Sequence, residues 1–415
     1  MESSSSCIRQ SGEASARASS SNTESSVQQQ IERSKSHWST LADQSSSTLG
    51  EEGEAEKSNK QEFMELQRHR TWGGFFSTFD GEVYVRYDDG ELVLGEKFAE
   101  GGQAELFHAK LTWRYPKDYE WDDREGCHHV MKVFKKGTFL RDLKSQLLHG
   151  LLQFREEDEE IFGSSTPKLR PRFICRVLQG MLLKNGQFAF LMEKQHFDLR
   201  SLIERNMGLR SDGDCGPFSK EDGEVIMYLI ALGVEWLHNR DIIHRDLKAS
   251  NVLMHEFQSG WPKWQCFVAD YECSVGVVGT GFFRAPEILQ ACKEQMTSQK
   301  PEVFSRAAEI YAYGMTCYEV LAGKLPFEKH PLHDKTSLLI DQIINYDLRP
   351  EIPDYVEGWA RNLLNRCWQR DPRARPSVGE ILDILSTNSA SVTKEEEILK
   401  GRFGENYRDN FKHQL

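Results

Sequence analysis

The chain has 415 residues, of which 39% are apolar, with a formal net charge of −12 and a pI near 5.6. That length allows two lobes and a tail, while the apolar share, below that of a wholly folded chain, implies that part of it stays unfolded. The acidic balance argues against nucleic acid or an anionic membrane as a main partner.

No run of 18 apolar residues occurs, and Met1-Glu2-Ser3 opens neither a signal peptide nor a myristoylation site, so a soluble, cytoplasmic protein is expected. The nine cysteines, odd in number and scattered, make no disulfide framework and fit a reducing compartment. Cys127-His128-His129 resembles part of a metal cluster, but no second His/Cys pair stands at zinc-site spacing, so it reads as strand.

In chain order, residues 1–62 come first, rich in Ser, Gln and Glu, with 17 serines among the first 50 residues. Such a segment cannot bury enough apolar surface to offset its ordering entropy, so it reads as a disordered tail. A chain starting near Glu62 is therefore expected to melt with the full chain. Residues 63–90 form a linker ending in a β-ribbon, with a turn at Asp88-Asp89-Gly90. Next, Phe98-Ala99-Glu100-Gly101-Gly102-Gln103-Ala104-Glu105-Leu106 reads as strand, glycine turn, strand. A turn without side chains lets backbone N–H groups come close to phosphate oxygens. The acidic stretch 115–126 reads as a hairpin connection. Val130-Met131-Lys132-Val133-Phe134 is a strand with one cation among apolar residues, and an inward-pointing lysine is costly unless an anion meets it. The strands at 173–181 and 188–193, joined by a turn at Asn185-Gly186, complete a five-stranded sheet. Ser219-Lys220-Glu221-Asp222 starts a helix in the manner of a capping box, and Val225, Leu229, Leu232 and Trp236 then recur at helical spacing.

That helix leads to His244-Arg245-Asp246-Leu247-Lys248-Ala249-Ser250-Asn251. Phosphoryl transfer needs a carboxylate to accept a hydroxyl proton, a cation near the moving phosphate and an oxygen for a metal ion. Asp246, Lys248 and Asn251 offer those groups within six residues. A short strand, Cys266-Phe267-Val268-Ala269, then ends at Asp270-Tyr271-Glu272, and a segment follows that closes with Gly279-Thr280 and Ala285-Pro286-Glu287.

By these motifs the chain resembles the eukaryotic protein kinases, in particular the tyrosine-kinase-like group of serine/threonine type. The loop matches H-R-D-L-K-x-x-N at every typed position, and Cys367-Trp368 with Asp371-Pro372 fits the same group. The resemblance implies an α+β, two-lobed protein kinase fold over 91–386, with a β-rich N-lobe and a mainly helical C-lobe; the polar, charged residues 387–415 read as a C-terminal tail with room for a short helix. The resemblance also implies ATP and Mg²⁺ as cofactors and protein substrates as partners.

Laid on the family pattern, Ala99, Gly101 and Ala104 stand at the three glycines of the nucleotide loop, of which only Gly101 is kept. Lys132 would meet the phosphates, Asn251 and Asp270 would hold Mg²⁺, Asp246 would take the substrate proton and Lys248 would stabilise charge. Met192 would back the adenine pocket, with the backbone from Glu193 to Gln195 bonding adenine. Asp198 would either reach a ribose hydroxyl or cap a helix. The helix partner of Lys132 falls at Glu157, unless that acidic stretch is simply solvated. Glu287 should pair with Arg375. Glu309 stands where the family has an aspartate tying down the catalytic loop, and Glu272 where it has glycine. Those departures leave a second reading open, a pseudokinase that binds ATP or a partner without phosphotransfer. Ser274 is the one hydroxyl of the 18-residue segment 270–287 left to serve as a regulatory phosphosite.

Overall fold

The computed structural model describes residues 49–69, 76–79, 83–85, 90–113, 129–141, 173–210, 215–257, 263–271, 278–405 and 407–408. Residues 1–48, the connection 115–126, Cys127, His128, Glu157, Glu272 and Ser274 lie outside them. Among the described residues no helix is long and apolar enough to cross a membrane.

Regular structure begins earlier than the expected boundary at 62. Helix α1 spans Leu49–Arg68, and Ala55, Asn59, Phe63 and Leu66 fall on one face of it, all buried. The spacing i, i+4, i+8, i+11 is a helical stripe, but a narrow one with a polar residue in it, so composition hides it. Phe63 and Leu66 join a core containing Phe76, Phe134, Phe188 and Phe190. Phe63 meets Phe76 and Phe188 edge-on, at centroid distances of 5.5 and 6.2 Å. The disordered reading of 49–62 is thus corrected: those residues contribute core.

The sheet holds the five strands expected, the ribbon arm expected before them, and one strand more. Strands β1 (Phe76–Phe79), β2 (Val83–Val85), β3 (Gly90–Glu100), β4 (Ala104–Trp113), β5 (His129–Phe134), β6 (Val177–Leu183) and β7 (Phe188–Glu193) run in the order β1-β6-β7-β5-β4-β3-β2. All neighbours are antiparallel except β1, which lies parallel to β6. Strands β1 and β2 occupy the two edges, where they cover backbone groups that would otherwise lie open.

The second lobe is mainly helical. A small sheet of β8 (Phe197–Asp198), β9 (Val252–Glu256) and β10 (Trp264–Val268) runs in the order β10-β9-β8. Around it lie α2 (Leu199–Gly208), α3 (Lys220–His238), α4 (Pro286–Lys293), α5 (Arg306–Ala322), α6 (Thr336–Asn345), α7 (Gly358–Cys367), α8 (Val378–Asn388) and α9 (Ala390–Phe403). Helix α3 starts as expected, Ser219 Oγ accepting from the Asp222 amide at 3.1 Å, and is buried on nearly every side. The polar tail after 386 does form the short helix open to it, and that helix is docked. In α9, Val392, Glu395 and Leu399 are buried, and beyond it the Tyr407 hydroxyl meets that of Tyr228 on α3 at 2.6 Å. Arg408 completes the docking with two bonds to Glu235.

Candidate active site

The catalytic loop is held from beneath by two buried carboxylates of α5. Glu309 Oε1 accepts from the His244 amide at 2.7 Å while its other oxygen meets His238. The longer side chain thus does what the family's aspartate would, reaching the loop backbone directly. One helical stretch further, Glu319 Oε1 accepts from the Ala249 amide at 3.1 Å, and its Oε2 accepts from Arg200 on α2 at 3.1 Å. Burial pushes the Glu319 carboxyl up to about 7 even against the pull of Arg200. His244 donates from Nε2 to the Ala269 carbonyl at 2.6 Å, which joins the loop to the residue before Asp270 and leaves Nδ1 to accept from the Asp246 amide at 3.3 Å.

Within that frame the polar groups converge. Lys248 Nζ donates to Asp246 Oδ2 and to Thr280 Oγ1, both at 2.7 Å. Asn251 Nδ2 donates to the Asp246 carbonyl at 2.8 Å and lies 3.3 Å from Asp246 Oδ2. The amide nitrogen is spent on Asp246, so its oxygen is the atom available to a cation. Asp246 Oδ1, by contrast, is buried and has no hydrogen-bond partner among the described residues.

Asp270 is brought alongside by the Ala269 amide, which donates to the Asn251 carbonyl at 2.9 Å. It adopts a φ of +66°, a left-handed conformation uncommon outside glycine, of the kind that collects at functional sites. Lys132, buried on β5, donates to Asp270 Oδ1 at 2.9 Å and so joins the two lobes. Desolvation between its neighbours would raise the Asp270 carboxyl, but half of the side chain is open to solvent, and Lys132, followed by His244 and Lys248, holds the group below its ordinary value. The neighbouring lysines stand elsewhere: Lys136 is exposed, and Lys135 pairs with Glu100 at 2.7 Å.

The residues fit a magnesium ion. Asp270 and Asn251 offer hard oxygens from adjoining positions, and magnesium takes one or two such ligands together with substrate phosphates. Among the described residues no group of three or more His, Cys, Asp or Glu forms a cage that would select another metal.

In the nucleotide loop, Ala99 and Leu106 pair across β3 and β4, and the Gly101 amide donates to the Ala104 carbonyl at 2.8 Å. Neither alanine has a positive φ, so both substitutions suit a strand hairpin. Ala104 is buried against the core below it. Met192 lies buried on β7 opposite Val130, in the same cluster as Ala104 and Ala269. Glu193 follows at the end of that strand. Asp198 caps α2, its two oxygens accepting from the Ser201 amide at 2.9 Å and the Ser201 hydroxyl at 2.6 Å; of the two roles open to it, this is the one the structure displays.

The expected pair of Glu287 and Arg375 forms with two bonds, at 2.7 and 2.9 Å. Sequence reasoning missed Glu319 and Arg284. An acid inside the apolar helical run Tyr318-Glu319-Val320-Leu321 was the available signal, since such a carboxylate must be paired if it is buried. Arg284 donates to the Val278 and Gly279 carbonyls and holds the end of the segment against the loop. At Gly279, with φ +85°, an added Cβ would stand 2.8 Å from the Arg245 carbonyl oxygen, which only glycine avoids.

The protein kinase domain family matches residues 164–385, slightly more than half of the chain. A light-sensor protein kinase of Ceratodon purpureus is 29% identical over 219 residues, 48% of this chain and 16% of that protein. The serine/threonine-protein kinase STY46 of Arabidopsis thaliana is 34% identical over 174 residues, 40% of this chain and 27% of the relative. The probable serine/threonine-protein kinase drkD of Dictyostelium discoideum is 30% identical over 331 residues, 75% of this chain and 21% of the relative. In each case the match spans about a quarter or less of the relative's own length. With two lobes, a catalytic loop and an acid-ended strand in the family's arrangement, the chain belongs to the eukaryotic protein kinases.

Proposed function

We propose that the protein transfers the γ-phosphate of ATP, held with Mg²⁺, to serine and threonine hydroxyls of protein substrates in the cytoplasm. One observation carries the reading. Asp246 keeps one oxygen on Lys248 and Asn251 and holds the other buried, with no partner among the described residues. A buried carboxylate oxygen left unpaired costs roughly 1–3 kcal/mol, so a fold that keeps one has a use for it. A substrate hydroxyl donating to Oδ1 would satisfy it and pass its proton there as the oxygen attacks.

Lys248, already 2.7 Å from Asp246, would then set its charge beside the moving phosphoryl group. Lys132 would release Asp270 in part and take the ATP phosphates. Asp270 and the Asn251 amide oxygen would hold the metal, whose charge would offset that on the phosphate oxygens. Thr280, bonded to Lys248, would form the shelf on which the accepting residue lies. The lysine at 248, the Gly279-Thr280 pair and the relatives' printed serine/threonine activity support serine/threonine acceptors within the tyrosine-kinase-like group. Three of the relatives are named dual-specificity kinases, so tyrosine transfer is the outcome to watch for.

The test is transfer of labelled phosphate from ATP with Mg²⁺ to a generic protein and to the chain itself, followed by phosphoamino-acid analysis. Phosphoserine and phosphothreonine are expected. Asp246→Asn should lower the rate by about a thousandfold, equivalent to about 4 kcal/mol, with ATP affinity nearly unchanged. A wild-type chain that binds Mg-ATP but transfers nothing would instead be a binding module.

A further inference from the structure

Asn59 is 3% exposed and makes three hydrogen bonds to two different loops of the N-lobe. Its Nδ2 donates to the Thr138 carbonyl at 2.9 Å and to the Gly186 carbonyl at 3.3 Å, and its Oδ1 accepts from the Leu140 amide at 2.7 Å. Helix α1 lies directly on the second of these loops. Gly186 has φ +86°, and a Cβ there would come within 2.9 Å of Glu56 Cβ.

The first loop, 135–140, leaves β5 a few residues after Lys132 and touches the nucleotide loop twice. The Lys135 amide donates to the Gln103 carbonyl at 2.9 Å, and Lys135 Nζ pairs with Glu100 at 2.7 Å. Within the turn the Thr138 amide donates to the Lys135 carbonyl at 3.2 Å. Lys97 extends the network, bridging Glu100 and Glu105 at 3.0 Å each. A continuous chain of hydrogen bonds therefore runs from Asn59 through 135–140 to the tip of the β3–β4 hairpin. This hairpin has alanine at two of the three positions where the family pattern has glycine. Its tip is thus confined to 101–103, and neighbours decide where it sits.

We infer that Asn59 is a positioning residue for the nucleotide loop, setting the place of residues 100–105 over the ATP phosphates through the 135–140 turn. The role rests on the proposed phosphotransfer reading as far as ATP is concerned; the mechanical link does not. Contiguity alone does not establish coupling, so the test measures it. The first readout is backbone amide hydrogen exchange of the full chain without nucleotide.

Asn59→Ala should speed exchange at least tenfold at 138–140 and also at 101–105. Asn59→Ser keeps one small uncharged donor where alanine has none, so it should fall between. If the alanine variant does not fold, the serine variant carries the test alone. Faster exchange confined to 138–140, with 101–105 as in the wild type, would overturn the inference and leave Asn59 as a docking residue only.

The second readout is kinetic. Asn59→Ala should raise the KM for ATP about fivefold while kcat at saturating ATP stays within twofold; a lower melting temperature with unchanged KM would count against the inference. A wild type that binds no nucleotide would overturn the phosphotransfer reading alone, since the exchange measurement needs no nucleotide.

Discussion

The loop 244–251 and the tip of the β3–β4 hairpin at 100–105 are held in opposite ways. Residues 244–251 are fixed by buried side chains, Glu309 and Glu319 from below and His244 toward Ala269, and each contact needs a particular functional group at a particular place. Residues 100–105 are fixed by strand pairing and by ion pairs among Lys97, Glu100, Glu105 and Lys135. Every residue has a backbone, and exposed ion pairs tolerate exchange. The first kind of loop therefore keeps its sequence pattern while the second can lose two of three glycines and still form the hairpin.

The two lobes also differ in what lies outside the family's matched region, and this yields the largest expected effect. The N-lobe core includes Phe63 and Leu66 of α1, both nearly fully buried. Removing residues 1–69 takes away both side chains and strands the Leu140 amide that Asn59 accepts from. Truncating a buried Phe and a buried Leu costs about 3–5 and 2–5 kcal/mol, and an orphaned buried donor roughly 1–3 more. The sum, on the order of 6 kcal/mol or above, is comparable with the whole stability of a typical domain. The shortened chain should lose many degrees in Tm or unfold, as circular dichroism on heating would show. Equal melting of the two chains would return α1 to the status of an appendage.

What could be read from the sequence follows the same division. The catalytic loop, Asp270, the Glu287–Arg375 pair and the central helix α3 were legible because buried charge and helical periodicity leave few alternatives. Helix α1 was not, because among its described side chains only four are buried and one of them is asparagine. The edge strand β1 is four residues long, too short for an alternating pattern to stand out, whereas β2, paired antiparallel with β3, falls in the ribbon that the sequence does show. Asp198 could be narrowed only to two roles, since a capping aspartate and a ligand-binding one look alike until the Ser201 bonds are seen. Glu319 was passed over as one more helix residue.

Glu319 offers the next sharpening, smaller and tied to pH. Its carboxyl, ordinarily near 4.5, is pushed up to about 7 by burial, with Arg200 and the Ala249 amide opposing. A carboxyl whose folded-state value is raised takes up protons on folding, so its contribution is fully present below the unfolded value and is lost as pH rises through about 7. Comparing the Tm of the wild type with that of Glu319→Gln between pH 4.5 and 8 tests this. The wild type should lose ground to the variant as pH rises, by on the order of 1–3 kcal/mol. A constant gap would mean that the Arg200 pair keeps the carboxylate ionised throughout, and the C-lobe would then hold its loop by charge alone.

The smallest expected effect concerns the segment between Asp270 and Glu287. Kinases often order this segment with a phosphate on the arginine beside the catalytic aspartate, here Arg245. The end of the segment is already anchored without one. Arg284 donates to the Val278 and Gly279 carbonyls, Gly279 lies against the Arg245 carbonyl, and Thr280 is bonded to Lys248. A segment of 18 residues also loses little entropy on ordering, since closure cost grows only with the logarithm of length. Ser274→Ala should therefore keep its initial rate on a fixed substrate within about twofold, under 0.5 kcal/mol of transition-state stabilisation. Phosphatase-treated wild type should match it. A tenfold drop in both would show that the C-lobe's side-chain contacts, sufficient for the catalytic loop, do not suffice for the segment that faces it.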